Sequence, residues 1–390
     1  MSGQLKSLVK SAFEKQFDNE PILISSPGRI NLIGEHTDYN KGFVLPATID
    51  KCIVFGLSKS KRDTCRIQAL DVDETLILDL KNLQKIEHLS WKNYIIGVVS
   101  GILDKVGGIS NFDILFSGNI PIGAGLSSSA ALENGIAYGL NNLFDLGLSK
   151  QDILEISVQA ERNFAGVNCG IMDQFTNLNG SKGNALFLNC NNMLYEEIPI
   201  TLDKYQLHLI NTNVKHQLSN SPFNKRKEEC NNGYEVLKKS FPVLTSLSDA
   251  NLEQLEHVRS EIPKVVLNRC KFVIQENERV RKVKIALMNQ DYKMIGKQLF
   301  ESHLGLRDLY EVSCDELDFL VDIAQKKKYV LGSRMMGGGF GGCTLNLIQE
   351  DKVADFVIDV KKEYQLRFGT PVSFYPVHIS DGIHEITSDN

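Results

Sequence analysis

The sequence has no window of about 18 apolar residues, so no segment is expected to cross a bilayer. Its eight cysteines are scattered, with no CxxC pair and no Cys/His ligand spacing. That excludes a metal ribbon and a disulfide framework, and points to reduced, mostly buried thiols in a cytoplasmic protein. A large excess of positive charge is also missing: 43 Lys and Arg stand against 48 Asp and Glu, a net charge of −5. The basic clusters Lys59–Arg62 and Lys326–Lys328 are short and read as solvated ends of elements. Neither nucleic acid nor an anionic membrane is therefore expected as a partner. Repeats, low-complexity tracts and long Pro/Gly/Ser linkers are absent. An export signal is absent too. Met1–Phe17 places Leu5, Leu8, Val9, Phe13 and Phe17 at helical spacing, but Lys6, Lys10, Glu14 and Lys15 interrupt it, which makes it an amphipathic helix.

What remains is an ordinary globular composition, 42% hydrophobic and 23% charged, over 390 residues. That length exceeds what one core supports, so two closely packed lobes are expected, 1–200 and 201–390, with the boundary between about 185 and 205. Strand-like and helix-like runs alternate throughout, giving a mixed α and β class. Ile22–Ser25, Cys52–Ser58 and Phe112–Ser117 read as strands. Leu126–Leu143 reads as a helix, and another starts at Ser149, where Ser149 and Asp152 form a capping-box pattern, and runs to about Asn163. Helices are predicted near Leu267–Met288, Tyr292–Leu304 and Asp315–Lys326, the last opened by a second capping box at Ser313 and Glu316. After a glycine run come a strand Cys343–Ile348, a helix Val353–Phe368 and a strand near Val372–Ile379.

Four segments carry residues suited to chemistry. In the first, Ser26–Tyr39, Arg29, Asn31, Glu35, His36 and Asp38 sit beside two glycines and a proline, with Ile30, Leu32 and Ile33 as anchors. Carboxylates and imidazoles at this density suit the paired hydrogen bonds that a polyol demands; a surface turn with incidental charge is the alternative. In the second, a predicted strand runs through Gly123, Ala124, Gly125, Leu126, Ser127, Ser128 and Ser129 into a helix. Bare amides and the positive helix end suit a phosphate. The segment lacks the Gly-Lys-Ser/Thr of a Walker A loop and the dinucleotide glycine spacing, and the alternative is a plain serine-capped helix start. The third, Gly337–Gly342, holds five glycines in six positions between apolar flanks, so a packed loop is preferred over a linker. The fourth sets Asp173 among Ile171, Met172 and Phe175, a frame that alters carboxylate chemistry, although a lone buried Asp also serves as a structural hydrogen-bond acceptor.

In this order the strings GRINLIGEHTDY, PIGAGLSSSAALE, CGIMDQF and RMMGGGFGGC resemble the motifs of the GHMP family of small-molecule kinases, and GEHTDY is the string that marks its galactokinases. Weaker similarity lies at Trp91–Val98, Asn211–His216 and Ser302–Ser313, so the resemblance spans about 20 to 385. It implies an α+β, two-lobed fold: an N-terminal lobe like ribosomal S5 domain 2, a C-terminal ferredoxin-like lobe, and the active site between them. The implied reaction moves the γ-phosphate of MgATP to the C1 hydroxyl of galactose, in a cytoplasmic monomer. Asp173 would take the hydroxyl proton, and Arg29 would pair with that carboxylate and stabilise charge during transfer. Glu35, His36, Thr37, Asp38, the backbone near Gly170, Asp173 and Phe223 would bind the sugar. Gly123–Ser129 would hold the ATP phosphates, Ser129 and Glu161 would hold Mg²⁺, and Gly337–Gly342 would support the site from the second lobe.

Two positions depart from the family pattern. Phe223, within Ser221–Arg226, stands where galactokinases carry a Tyr whose hydroxyl reaches the sugar, which removes one hydrogen bond. Met336 stands where Thr is usual. A kinase for N-acetylgalactosamine and a non-catalytic galactose/ATP sensor are the competing readings. Family sensors lack a Ser-Ala pair in the phosphate loop, whereas Ser129-Ala130 is intact here.

Overall fold

The structure is a computed structural model that describes residues 2–87, 90–121, 123–214 and 222–387. Met1, Ile122, Lys215, His216 and Ser221, which belong to segments named above, lie outside the described residues.

The amphipathic start forms helix α1 (Ser2–Phe17), whose Val9, Phe13 and Phe17 are buried while Leu8 stays exposed. These side chains pack on Leu23, Val54 and Leu115, one face of a six-stranded sheet. Its strands are β1 (Ile22–Asn31), β3 (Pro46–Lys59), β4 (Cys65–Ala69), β5 (Glu74–Leu78), β6 (Phe112–Gly118) and β13 (His384–Glu385), in the order β13-β1-β3-β6-β4-β5. All pairs are antiparallel except β4 with β6. The short strand β2 (Phe43–Val44) joins β7 (Asn184–Asn189) and β8 (Tyr195–Pro199) in a small separate sheet. Helices α2 (Trp91–Val106), α3 (Ser128–Phe144), α4 (Lys150–Ala160) and α5 (Met172–Asn179) complete this half, with α3 packed along β1 and β3.

The second half follows a different plan. β9 (Tyr205–Asn211) leads into α6 (Pro222–Ser240), α7 (Leu252–His257), α8 (Lys264–Met288), α9 (Tyr292–Asp308) and α10 (Asp315–Gln325). Then come β10 (Val330–Met335), β11 (Cys343–Gln349), α11 (Val353–Phe368) and β12 (Ser373–Pro376). The sheet order β10-β11-β9-β12, antiparallel throughout, with helices between its first and second and its third and fourth strands, is the ferredoxin-like arrangement. One apolar cluster runs from Phe55 and Ile136 through Met336 and Cys343 to Leu299, so the two halves share a core.

The predicted helix 353–368 coincides with α11, and the Ser149/Asp152 capping box forms with both reciprocal bonds. The capping box at Ser313 and Glu316 does not form. Cys314 occupies the N-cap position of α10 without a side-chain cap bond, and the Ser313 hydroxyl donates instead to Asp318 Oδ1 at 2.5 Å. Helices α2 and α6 are not among the helices expected from the sequence. α2 is buried on most of its circumference, through Ile95, Ile96, Val98, Val99 and Ile102. α6 is almost wholly polar, and hides a narrow stripe of Arg226, Cys230, Gly233 and Leu237.

Helix α9 reaches β10 backbone to backbone. A Cβ on Gly296 would lie 2.0 Å from the Leu331 carbonyl oxygen, and one on Gly332 would lie 2.5 Å from the Gly296 Cα. No side chain can rotate away from such a clash, so Gly296→Ala must push the helix off the sheet. The variant should lose about 1–3 kcal/mol of unfolding free energy, read as a lowered urea midpoint, while exposed Lys297→Ala should change it by less than about 0.5 kcal/mol.

Candidate active site

The pairing of β1 with β3 shifts register between Pro27 and Arg29, and such a bulge re-aims the next side chain. Arg29 stays paired with Thr48, and its side chain meets Asp173 in the first turn of α5, where a carboxylate suits the helix dipole. Nε donates to Asp173 Oδ1 at 2.8 Å and Nη2 to Oδ2 at 3.1 Å, a bidentate pair. The remaining nitrogen, Nη1, donates to the Gly125 carbonyl at 2.6 Å, and the Arg29 amide donates to the Leu126 carbonyl. The Ser127 hydroxyl donates to Asp173 Oδ2 at 2.5 Å. One ion pair therefore joins the first, second and fourth segments. Arg29 is buried, while the Asp173 side chain keeps 29% of its surface exposed, towards a cleft of about 290 Å³.

Gly123, Ala124, Gly125, Leu126, Ser127, Ser128 and Ser129 line one wall of that cleft. Ala124 and Leu126 bury their side chains, so they offer backbone. Ser127 takes φ 58° at the start of α3, and its hydroxyl makes no cap bond to the helix. The first amides of α3 are thus left for an anion. The glycine run presses on this loop from the other half. A Cβ on Gly125 would sit 3.3 Å from the Met336 carbonyl oxygen, and one on Gly337 would sit 3.3 Å from that of Gly125. Both residues also have positive φ, 72° and 82°, so bare backbone is required on both sides.

Behind the serines lies an acidic group. Ser129 Oγ donates to Glu161 Oε1 at 3.0 Å. Glu161 opens a π-helical turn, Glu161–Ala165, at the end of α4, a distortion frequent at functional sites. The Gln174 amide bridges Glu161 Oε2 at 2.6 Å and Glu133 Oε2 at 3.0 Å. Burial, then the charge of Glu161, pushes the Glu133 carboxyl well above its ordinary range; burial, then the charge of Asp173, raises that of Glu161. Glu133 Oε1 and Gln174 Oε1 are buried without a hydrogen-bond partner. Oxygen donors carrying unbalanced negative charge fit a hard divalent cation. No group of three or more His, Cys, Asp or Glu residues with metal-holding geometry occurs among the described residues.

A further part of the cleft wall comes from the loop 34–43. Glu35, His36 and Asp38 line the cleft with Gly170 and Phe223. Glu35 is already engaged: Asn31 Nδ2, the buried Arg334 Nη2 and the Gly337 amide all donate to it, at 3.1, 3.0 and 2.9 Å. His36 adopts φ 64°. Its Nδ1 bonds the Tyr39 hydroxyl at 2.7 Å, and the rings of Phe223 and Tyr310 lie against it. Burial, aided by Arg226, lowers its pKa to about 3, so the ring is neutral. Asp38 moves the other way, up to about 6, through burial and the neighbouring Asp173. A Cβ on Gly170 would fall 1.9 Å from Asp38 Oδ2, which leaves glycine as the residue that fits. Thr37 is not on the cleft wall. Fully buried, its hydroxyl lies 2.8 and 2.7 Å from the carbonyl oxygens of Gly34 and Phe43, and closes the loop from behind.

The sequence reading passed over Glu133, Gln174 and Tyr39. Glu133 closes the string that carries the serine loop and Gln174 directly follows Asp173, but their role comes from the bridge they make in space. Tyr39 ended the first segment, and its hydroxyl runs on to the Tyr310 hydroxyl at 2.9 Å and from there to Cys230 Sγ.

Three family models match the chain: GHMP kinases N terminal domain over residues 93–181, the galactokinase galactose-binding signature over 11–59, and GHMP kinases C terminal over 283–365. Galactokinase of Thermotoga maritima is 41% identical over 365 residues, 93% of this chain and 99% of that one. The chain belongs to the galactokinase family of GHMP kinases. Galactokinase of Clostridium acetobutylicum is 39% identical over 98% of the chain and 99% of its own length. The crystal structure of Lactococcus lactis galactokinase complexed with galactose superposes with a TM-score of 0.93 at 33% identity, covering 98% of this chain and 100% of that one. Methanococcus jannaschii mevalonate kinase, at 18% identity and a TM-score of 0.66, shares the GHMP fold. The match over 11–59 contains the loop carrying Glu35, His36 and Asp38, and that over 93–181 contains the phosphate loop, Glu161 and Asp173.

The acidic group makes a test of its own electrostatics. A carboxyl whose folded pKa is raised loses stability as pH climbs above its unfolded value near 4.3. Glu133→Gln removes that loss and keeps an acceptor for Gln174. Without divalent cation, the variant should be more stable than the parent by about 1–3 kcal/mol at pH 8. Urea midpoints should show that gap closing as pH falls towards 4.

Proposed function

We propose that this chain transfers the γ-phosphate of ATP to the C1 hydroxyl of galactose, giving galactose 1-phosphate and ADP. The observation that carries the reading is the position of Asp173. It is paired bidentately with Arg29 and bonded to Ser127 of the phosphate loop, and it faces the cleft wall formed by Glu35, His36 and Asp38. A carboxylate there can touch a sugar hydroxyl on one side and a bound triphosphate on the other.

The chemistry follows from which lone pairs are free. Asp173 Oδ2 already accepts from Arg29 and Ser127, while Oδ1 accepts from Arg29 alone. Oδ1 is therefore the oxygen that takes the C1 hydroxyl proton as the hydroxyl oxygen bonds the γ-phosphorus and the bond to ADP breaks. Arg29, fixed by the Gly125 carbonyl, keeps a positive charge beside the transferring group, and the amides at the start of α3 bind the phosphate oxygens. In such transfers positioning and charge stabilisation supply most of the acceleration. Ser129 and Glu161 would hold Mg²⁺, which when bound neutralises charge on the phosphates. The neutral His36 ring and the Asp38 carboxylate pair with sugar hydroxyls. All eight cysteines are free thiols, which fits a reducing, cytoplasmic setting, and we take the enzyme to act as a monomer.

A panel of sugars assayed with MgATP tests this reading. Galactose should give the highest kcat/KM, with a 1-phosphate as product. A higher value for N-acetylgalactosamine would overturn the assignment of substrate, and no ADP release with galactose would overturn catalysis in favour of a sensor.

Phe223 bears directly on the sugar site. Its ring packs on His36 and Tyr39, with centroids 5.5 and 5.3 Å away, and adds no hydroxyl to the cleft wall. Phe223→Tyr should tighten galactose binding by about 1 kcal/mol, roughly fivefold in Kd by calorimetry. An unchanged Kd would mean that the sugar finds its partners elsewhere in the cleft.

A further inference from the structure

The loop 34–43 holds a costly shape. Gly34, His36 and Lys41 all have positive φ, 106°, 64° and 59°, and only the first is a glycine. Strained backbone of this kind persists where its surroundings over-determine it. The surroundings here come from a distant part of the chain. Glu276 and Asn277, consecutive residues on α8, reach the two ends of the loop: the Gly34 amide donates to Glu276 Oε1 at 3.1 Å, and the Phe43 amide donates to Asn277 Oδ1 at 2.7 Å. Between them the Ser248 hydroxyl donates to the Asn40 carbonyl at 2.9 Å.

The two α8 clips are themselves fixed. Glu276, fully buried, also accepts from the Ser302 hydroxyl at 2.7 Å and from Arg279 Nε at 2.6 Å. The Asn277 amide nitrogen donates to the Val273 carbonyl at 3.0 Å, which sets its oxygen towards Phe43. The fit around Gly42 is close, since a Cβ there would meet Asn277 Oδ1 at 2.4 Å and Ser248 Oγ at 2.7 Å. None of the three residues lines the cleft, and residues 248, 276 and 277 lie outside all three matched family segments.

We infer that Ser248, Glu276 and Asn277 are positioning residues for sugar recognition, holding Glu35, His36 and Asp38 in their binding geometry from behind. The inference rests on the proposed galactose site. It assigns to the helical segment between β9 and α9 a share in affinity for the sugar and none in affinity for the nucleotide, since the hydrogen bonds of these three residues go to the loop 34–43 and not to 123–129.

Calorimetry on the full chain separates the two. Asn277→Ala should weaken galactose binding about three- to tenfold, the worth of one hydrogen bond, and leave the ATP Kd within about twofold. Asn277→Asp keeps an acceptor for the Phe43 amide but gives up the donor to Val273, so it should restore part of the galactose affinity. Ser248→Ala, at a partly exposed site, should weaken galactose binding in the same direction if Asn277→Ala fails to fold. Unchanged galactose Kd in the alanine variants, an equal loss of ATP affinity, or no rescue by Asn277→Asp would overturn the clip. A wild-type chain that binds no galactose would instead overturn the functional reading on which the clip rests.

Discussion

The guanidinium–carboxylate pair of Arg29 and Asp173 is the interaction on which the rest of the site depends. A charge pair with one buried member is costly to desolvate, and geometry must repay it. Here each of the three Arg29 nitrogens has a partner, because Nε and Nη2 donate to the carboxylate and Nη1 to the Gly125 carbonyl. The same bonds fix the phosphate loop against the start of α5. Neither the bulge in β1 nor the left-handed turn at Ser127 has a purpose in its own element. Each makes sense as a means of bringing three separated segments to one carboxylate.

A second buried pair ties the halves together. Arg334, with no exposed surface, donates to the carbonyls of Leu32, Asn31 and Met335 and to Glu35. It stands three residues before the glycine run begins at Gly337, so β10 and the sugar loop share one set of hydrogen bonds. Together with the continuous apolar core and the contact of Gly125 with Gly337, this makes the cleft a junction of both halves. Removing either charge would strand the other in the interior, a loss of several kcal/mol.

Much of this was legible in the sequence, for physical reasons that differ by residue. Glycines and serines before a helix suit a backbone anion site, and Gly123–Ser129 lines the cleft. Arg29, Asp173, Glu35, His36, Asp38, Gly170 and Phe223 also converge there. Thr37 was placed by its position in a polar string, yet its side chain points behind the loop to Gly34 and Phe43. Side-chain direction in an irregular turn has no period to read. Glu133 and Gln174 escaped because a buried bridge between helices leaves no spacing in the sequence. The expected box at Ser313 failed because Asp318, braced by His303, is the better partner for that hydroxyl.

The clips from α8 and Ser248 belong to the same class of hidden feature. Their residue types are ordinary, and their meaning lies in which distant amide each one meets.

The most direct measurement of the central claim is a double-mutant cycle on kcat/KM with galactose and MgATP, using Arg29→Ala, Asp173→Asn and the double variant. If the pair acts as one unit, each single change should cost about a hundredfold or more, and the double variant should be no slower than the worse single. Additive losses would show that the two residues act independently, and would contradict the account.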